Sequence, residues 1–152
     1  MAGKPEAEAE CAFADVPEDH AARTAIIWAA NVGIMVGYSD TVFGPQDMVT
    51  RQQMVTALWR FEQTQETPVE AAIHDLTGFK DISSIRSYAL DAFRWACGSG
   101  IVAGDGNGQL CPDDSLRREQ LAVMLYRYSQ LPKVQVAESE EPAEGNTTVA
   151  GA

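Results

Sequence analysis

The sequence has 152 residues, of which 45% are hydrophobic, enough to build the core of one ordinary domain or of two small repeats. Lys and Arg total 11 against 22 Asp and Glu, and the net charge of −11 argues against nucleic acid as a partner, because phosphate binding needs clustered positive charge. No stretch reaches the roughly 18 apolar residues that span a bilayer, so we expect neither an integral membrane protein nor a membrane partner.

Both ends of the chain are acidic. Residues 1–12 carry three Glu against one Lys, and residues 132–152 include four Glu between positions 138 and 144, so both segments are predicted to be disordered tails. The start of the chain also lacks the apolar core of a secretory signal. A protein that works outside the cell would therefore have its targeting segment elsewhere or already removed.

An internal repeat organises the region between the tails. Shifting the sequence by 67 positions aligns residues 22–61 with 89–128, with thirteen identities where about two or three are expected by chance. The alignment extends upstream with one gap, through Phe13 and Asp15, which match Phe79 and Asp81. The predicted units are residues 13–61 and 79–131, joined by a linker at 62–78. A short helical turn between Val69 and Leu76 is an open alternative within this linker.

Each unit is predicted to contain two helices. The first has apolar residues at i, i+3, i+4 and i+7 and is followed by Gly33 or Gly100, as expected where a helix ends at a residue of positive φ. The second helix has the same spacing. The apolar positions are Ala22, Ala25, Ile26 and Ala29, then Met54, Ala57, Leu58 and Phe61, and in the second unit Ala89, Ala92, Phe93 and Ala96, then Leu121, Met124, Leu125 and Tyr128.

The start of each second helix is marked differently. Thr50, followed three residues later by Gln53, predicts a capping box. In the second unit Arg117 stands where the Thr should be, so Asp114 or Ser115 is expected to cap that helix instead. The fold class is therefore all-α: two tandem helix-loop-helix repeats with disordered acidic termini.

The repeat resembles the S-layer homology (SLH) repeat of bacterial surface proteins. The matching segments are FADV and WAANVGIMVGYSDTVFGPQDMVTRQQMVTALWRF in the first unit, and FKDI and WACGSGIVAGDGNGQLCPDDSLRREQLAVMLYRY in the second. The hallmark is an aromatic and Asp opening, a helix ending in Gly-Ile, a Gly- and Asp-rich loop, a Pro, and a TRAE-like helix start. That last motif reads TRQQ and RREQ here.

The resemblance implies a fold and a function. Such repeats pack around a pseudo-threefold axis, and their grooves bind secondary cell-wall polysaccharide, often with an acidic pyruvate ketal. It implies a non-covalent anchor, outside the cell on a bacterial wall or S-layer, with this chain a fragment or processed form. Because family domains usually have three repeats and this chain has two, a homo-oligomer or a further repeat is expected to complete the grooves.

Arg51 and Arg118 are the predicted acid-binding residues. They occupy equivalent positions in the first turns of the second helices. A cation there is unfavourable, because it faces the positive end of the helix dipole. An unfavourable residue that recurs at the same position of both repeats points to function. A guanidinium can bind a carboxylate through two hydrogen bonds, and free N–H groups at the same helix start also attract anions. In the alternative, each Arg only pairs with Asp47 or Asp114.

Six further residues complete the predicted site. The aromatic rings on the first helices are expected either to stack on sugars or to fill the core, and the loop residues either to hydrogen-bond hydroxyl groups or only to form turns. The six are Trp28, Trp95, Tyr38, Asp40, Asp105 and Asn107.

Metal binding and catalysis are not expected. The three cysteines lack CxxC spacing, and the loop that begins at Asp105 has Leu110 and Leu116 where a calcium loop needs Gly and Glu. No nucleophile elbow, phosphate loop or facing pair of carboxyl groups is present, so we predict no enzyme activity and no cofactor. The alternative function is a protein-interaction or self-assembly module of a surface layer that binds no glycan.

Overall fold

The computed structural model describes residues 11–67, 69 and 72–133, so nearly all of the two predicted tails lies outside the described residues. The described chain is all-α, as predicted, with two helices in each repeat and only isolated bridges in place of strands. The helices are α1 (Arg23–Asn31), α2 (Arg51–Gln63), α3 (Leu90–Gly98) and α4 (Arg118–Ser129). Two 3₁₀ turns, Ile82–Ser84 and Ser87–Ala89, precede α3.

The predicted capping box begins α2. The Oγ1 of Thr50 accepts a hydrogen bond from the backbone N–H of Gln53 at 3.3 Å, and Gln53 Oε1 accepts from the N–H of Thr50 at 2.8 Å. Two backbone N–H groups that a helix start leaves without partners are satisfied in this way. Gly33 follows α1 and Gly100 follows α3, and their φ angles are +77° and +72°. The positive φ predicted for these two glycines is confirmed.

The start of α4 differs from the prediction. Its N-cap is Arg117, so the expectation that Asp114 or Ser115 caps this helix is wrong. The N–H of Arg117 donates to Gln120 Oε1 at 2.9 Å, but an arginine side chain has no acceptor with which to complete the box. Ser115 instead forms an antiparallel bridge with Thr50, because the segment before α4 pairs with the start of α2.

An Asp at the opening of each repeat holds the following loop. The carboxylate of Asp15 accepts the N–H groups of Phe43 and Gly44, at 2.9 and 2.7 Å, and Asp81 accepts those of Leu110 and Cys111 at similar distances. Each loop is therefore held by hydrogen bonds to an Asp that lies about 29 residues earlier in the sequence.

The main core is shared between the repeats. Helix α2 of the first repeat packs against α3 of the second, and Val55 and Leu58 of α2 lie in one cluster with Phe93 and Trp95 of α3. Phe93 and Val55 are completely buried. The second repeat therefore completes its core with a helix that precedes it in the chain.

The described residues between Val69 and Leu76 form no helical turn. Val69 forms a bridge with Lys133, and residues 72–76 have no regular structure, so the short turn considered for this segment is not found there. Among the described residues, no helix has both the length and the apolar character needed to cross a membrane.

Candidate functional site

A groove lies where the loop and second helix of the first repeat meet the beginning of the second repeat. Its volume is about 560 Å³, within the range of small-ligand sites. Aromatic, cationic and acidic side chains all contribute to its lining. They include Tyr38, Tyr88, Arg60, Arg86, Asp47 and Asp113.

The buried amide of Gln52 joins the two repeats at this groove. Gln52 is 1% exposed, its Nε2 donates to a carboxylate oxygen of Asp113, and its Oε1 accepts the backbone N–H of Arg86 at 3.1 Å. Both of those partners belong to the second repeat. The position of Arg86 at the groove therefore depends on a side chain of α2.

The two arginines of the groove have no side-chain partner among the described residues. Neither Arg60 nor Arg86 makes an ion pair or donates a guanidinium hydrogen bond there. Two carboxylates, Asp47 and Asp113, line the same groove, and Asp113 already accepts from Gln52. The groove thus offers two available guanidinium groups, each able to form a bidentate pair with an anion.

Arg51 does not line this groove. Its Nη2 donates to the carbonyl oxygen of Ala103 at 3.0 Å, and its Nε is buried without a hydrogen-bond partner among the described residues. The N–H of Arg51 donates to Asp114 O at 2.9 Å and that of Gln52 to Pro112 O. The free N–H groups expected at this helix start are therefore occupied, and the alternative ion pair of Arg51 with Asp47 or Asp114 is not formed either.

Arg118 lies exposed in the first turn of α4 and forms no ion pair within the described chain. The neighbouring Arg117 is the residue that pairs with Glu119, at 3.0 Å on the surface. Neither Arg51 nor Arg118 lines the groove, and their binding role stays a prediction.

The two equivalent tryptophans have different surroundings. Trp95 is 7% exposed and contacts the ring of Tyr128 edge-on at 6.4 Å in the shared core, as the packing alternative expects. Trp28 is half-buried and lines a second, shallower depression together with Val32 and Phe61.

Among the predicted loop residues, only Tyr38 reaches the groove, and it is 62% exposed. Asp40 is exposed and lies outside the groove lining. The Oδ1 of Asp105 accepts the N–H groups of Asn107 and Gln109, at 2.7 and 3.1 Å, and these bonds hold the pKa of Asp105 below its usual range. Asp105 and Asn107 therefore form the turn that the alternative interpretation describes.

Sequence reasoning missed Arg60, Arg86 and Tyr88. Arg60 was identifiable in principle, since it matches Arg127 in the repeat alignment. Arg86 and Tyr88 carry no such signal, because the corresponding segment of the first repeat, residues 17–21, contains neither arginine nor tyrosine. They become part of the site only through the packing of one repeat on the other.

No group of three or more His, Cys, Asp or Glu side chains in the described parts of the chain is arranged to hold a metal ion. The three cysteines are free thiols. Burial raises the pKa of Cys97 to about 11, so this thiol stays protonated at neutral pH and is a poor nucleophile.

The family model described as "S-layer homology domain" matches residues 12–55 and 78–122, together more than half of the chain. The two matches fall on the two repeats found by internal alignment.

Two surface proteins and an endoglucanase are among the relatives of this chain. A cell surface protein of Thermoanaerobacter kivui is 32% identical over 76% of the chain, and a surface-layer 125 kDa protein of Lysinibacillus sphaericus is 29% identical over 95% of it. An endoglucanase of Bacillus sp. (strain KSM-635) is 33% identical over 74% of the chain. The matched regions make up only 15%, 12% and 11% of these three relatives, respectively.

Proposed function

The chain belongs to the S-layer homology family, and from this premise we propose that it is a non-covalent anchoring module that binds acidic, for example pyruvylated, secondary cell-wall polysaccharide outside the bacterial cell. The observation that carries the proposal is a pair of guanidinium groups in the groove between the repeats, those of Arg60 and Arg86, which have no partner among the described residues. Relatives named as cell surface and surface-layer proteins support the location.

The lining of the groove suits an acidic sugar. A guanidinium binds a carboxylate through two parallel hydrogen bonds, and a phenol ring presents an apolar face with a polar tip. Arg60 and Arg86 supply the first kind of group, and Tyr38 and Tyr88 supply the second. Because the chain as a whole carries a net charge of −11, attraction of an anion depends on these local cations and not on the overall field.

We propose no catalytic role for this chain. Its match to the endoglucanase covers 11% of that protein, so the relative's name gives no reason to assign hydrolysis to these repeats. The acids that line the groove, Asp47 and Asp113, share it with two arginines, and the carboxylate of Asp113 accepts a hydrogen bond from Gln52.

Sedimentation with isolated Gram-positive cell walls tests the proposal. The wild-type chain should be retained on the walls, and retention should fall when Arg60 and Arg86 are both replaced by Ala. Arg94→Ala is the matched control, because Arg94 is an exposed arginine of α3 whose side chain, within the described part of the chain, pairs with Asp91 alone. Failure of the wild-type chain to bind any such wall preparation would contradict the anchoring function.

The same experiment tests the site predicted from the repeat. The double variant Arg51→Ala, Arg118→Ala should lose retention, with its helicity intact, if these residues contact the glycan. Unchanged retention would remove both residues from the site and leave the groove between the repeats as the binding surface.

A self-assembly module is the second candidate function. It is favoured by the outer face of α4, where Val123, Leu125 and Tyr126 are 46%, 44% and 66% exposed. The exposure of Leu125 contrasts with that of Leu58, its equivalent in α2, which is buried. A chain that forms a tight oligomer at dilute concentration and is indifferent to polysaccharide would support assembly over anchoring. A stable monomer that binds walls would support the anchor.

A further inference from the structure

The two loops of the repeats differ at a pair of positions that are in contact. The first loop has Tyr38 and Gly44 where the second has Asp105 and Cys111. Gly44 has a φ of +77°, and a Cβ placed on it would lie 2.5 Å from the ring of Tyr38 and 2.7 Å from a carboxylate oxygen of Asp47. The ring of Tyr38 therefore lies directly over Gly44, in space that any larger residue would occupy.

The second loop does not have this pairing of an aromatic ring with a glycine. Cys111 keeps a left-handed backbone, with a φ of +51°, but it carries the side chain that Gly44 lacks. The aromatic ring is absent as well, since Asp105 takes its place and turns its carboxylate onto the N–H groups of its own loop. This loop presents a fixed negative charge where the first presents an exposed phenol ring.

The cations are distributed with the same asymmetry. Arg60 has no partner among the described residues, whereas the equivalent Arg127 donates to the carbonyl oxygen of Ile101 at 3.3 Å. Arg86 enters the groove from the second repeat, while the corresponding segment of the first repeat, residues 17–21, contains no arginine. Cations also reach the second loop, but there Arg51 donates to Ala103 O and Lys80 donates to Asn107 O. The guanidinium groups of Arg60 and Arg86, in contrast, line the groove with the ring of Tyr38 and have no partner among the described residues.

We propose that the chain holds a single glycan site, in which Tyr38, seated on Gly44, stacks on a sugar ring while Arg60 and Arg86 bind the acidic substituent of the glycan. The loop of the second repeat, with Asp105 and Cys111, is not a binding site. This inference rests on the proposed function and assigns it to one of the two loops. The preference of the glycan for the first loop depends on Gly44, which leaves space for the ring, as much as on the ring of Tyr38 itself.

Calorimetric titration of the intact chain tests this with a short oligosaccharide that carries one pyruvate ketal. We expect one oligosaccharide per chain, and Tyr38→Ala should weaken binding by roughly fivefold or more, since a stacked ring contributes on the order of 1 kcal/mol. Tyr38→Phe should bind nearly as well as the wild type, because it retains the ring. The same oligosaccharide without its ketal should bind weakly, because it leaves both guanidinium groups unpaired.

Matched substitutions in the second loop supply the control. Asp105→Ala, at the position equivalent to Tyr38, should leave affinity and stoichiometry unchanged. Gly44→Ala should displace the Tyr38 ring and weaken binding about as much as Tyr38→Ala, whereas Cys111→Ala should have no effect. Circular dichroism of each variant establishes that its helices are retained, and Tyr38→Ala carries the test if Gly44→Ala does not fold.

The outcomes separate this inference from the function on which it rests. Two oligosaccharides per chain, or a loss with Asp105→Ala as large as that with Tyr38→Ala, would overturn the single site and leave the anchoring function standing. Absence of binding by the wild-type chain, both to the ketal oligosaccharide and to cell walls, would overturn the function and the inference together.

Discussion

At the scale of single residues, the loops depend on carboxylates that accept backbone hydrogen bonds. The N–H groups of Phe43 and Gly44 hold the pKa of Asp15 below its usual range. Because the folded-state pKa is the lower one, the stabilisation is fully present above the unfolded pKa of about 3.9 and is lost as the pH falls through the folded value. These bonds also position Gly44, and with it the Tyr38 ring of the groove.

Asp15→Asn should therefore destabilise the chain at pH 7, and the difference from the wild type should close below about pH 3.9 as Asp15 itself is protonated. Urea unfolding of both proteins at several pH values between 7 and 2 measures this. Asp40→Asn is the control, since Asp40 is an exposed acid of the same loop and accepts no hydrogen bond from the described chain. A difference that stays constant across the titration would show that the charge of Asp15 contributes nothing.

At the scale of helices, α2 and α4 are joined by a buried carboxylate. Glu62, which is 2% exposed, accepts the hydroxyl of Tyr128 at 2.6 Å on one oxygen and the backbone N–H of Val69 on the other. Burial and the nearby Glu62 raise the pKa of Tyr128 above its ordinary value, which keeps the hydroxyl protonated as a donor. The linker and both second helices thus meet at one side chain.

Tyr128→Phe should lower the free energy of unfolding by about 1–3 kcal/mol, because it leaves an oxygen of a buried carboxylate without a partner. Chemical denaturation measures the change. Tyr126→Phe removes a hydroxyl from a neighbouring tyrosine that is 66% exposed, and it should change stability by less than about 0.5 kcal/mol. Equal effects of the two substitutions would show that the bond to Glu62 does not stabilise the fold.

The helices also show which features the sequence could predict. Thr50 and Gln53 predicted the start of α2 because a capping box is a local interaction of adjacent residues. The start of α4 was not predictable in that way, since it depends on the pairing of Ser115 with Thr50. The same distinction applies to the groove: Tyr38 belongs to a recognisable loop, but Arg86 reaches it only because Gln52 of α2 holds its backbone.

At the scale of the whole molecule, the duplication was visible in the sequence but the sharing of its core was not. The apolar spacing gives each helix a buried face without specifying which helix covers it. Ala22, the N-cap of α1, and Ala25 within it are exposed, whereas the equivalent Ala89 and Ala92 are completely buried because α2 packs beside them. Equivalent residues of the two repeats therefore have different surroundings.

Because α2 belongs in sequence to the first repeat and in packing to the second, the two repeats should unfold together. Phe93→Ala, in the centre of the shared core, should cost about 3–5 kcal/mol and shift one transition without splitting it. Urea unfolding followed by far-ultraviolet circular dichroism and by tryptophan fluorescence should give coincident midpoints in both proteins. Trp28 reports on the first repeat, Trp95 on the second, and Trp59 on α2, which packs against the shared core. Separate midpoints would mean that each repeat is stable alone and that the contact between α2 and α3 adds little to the fold.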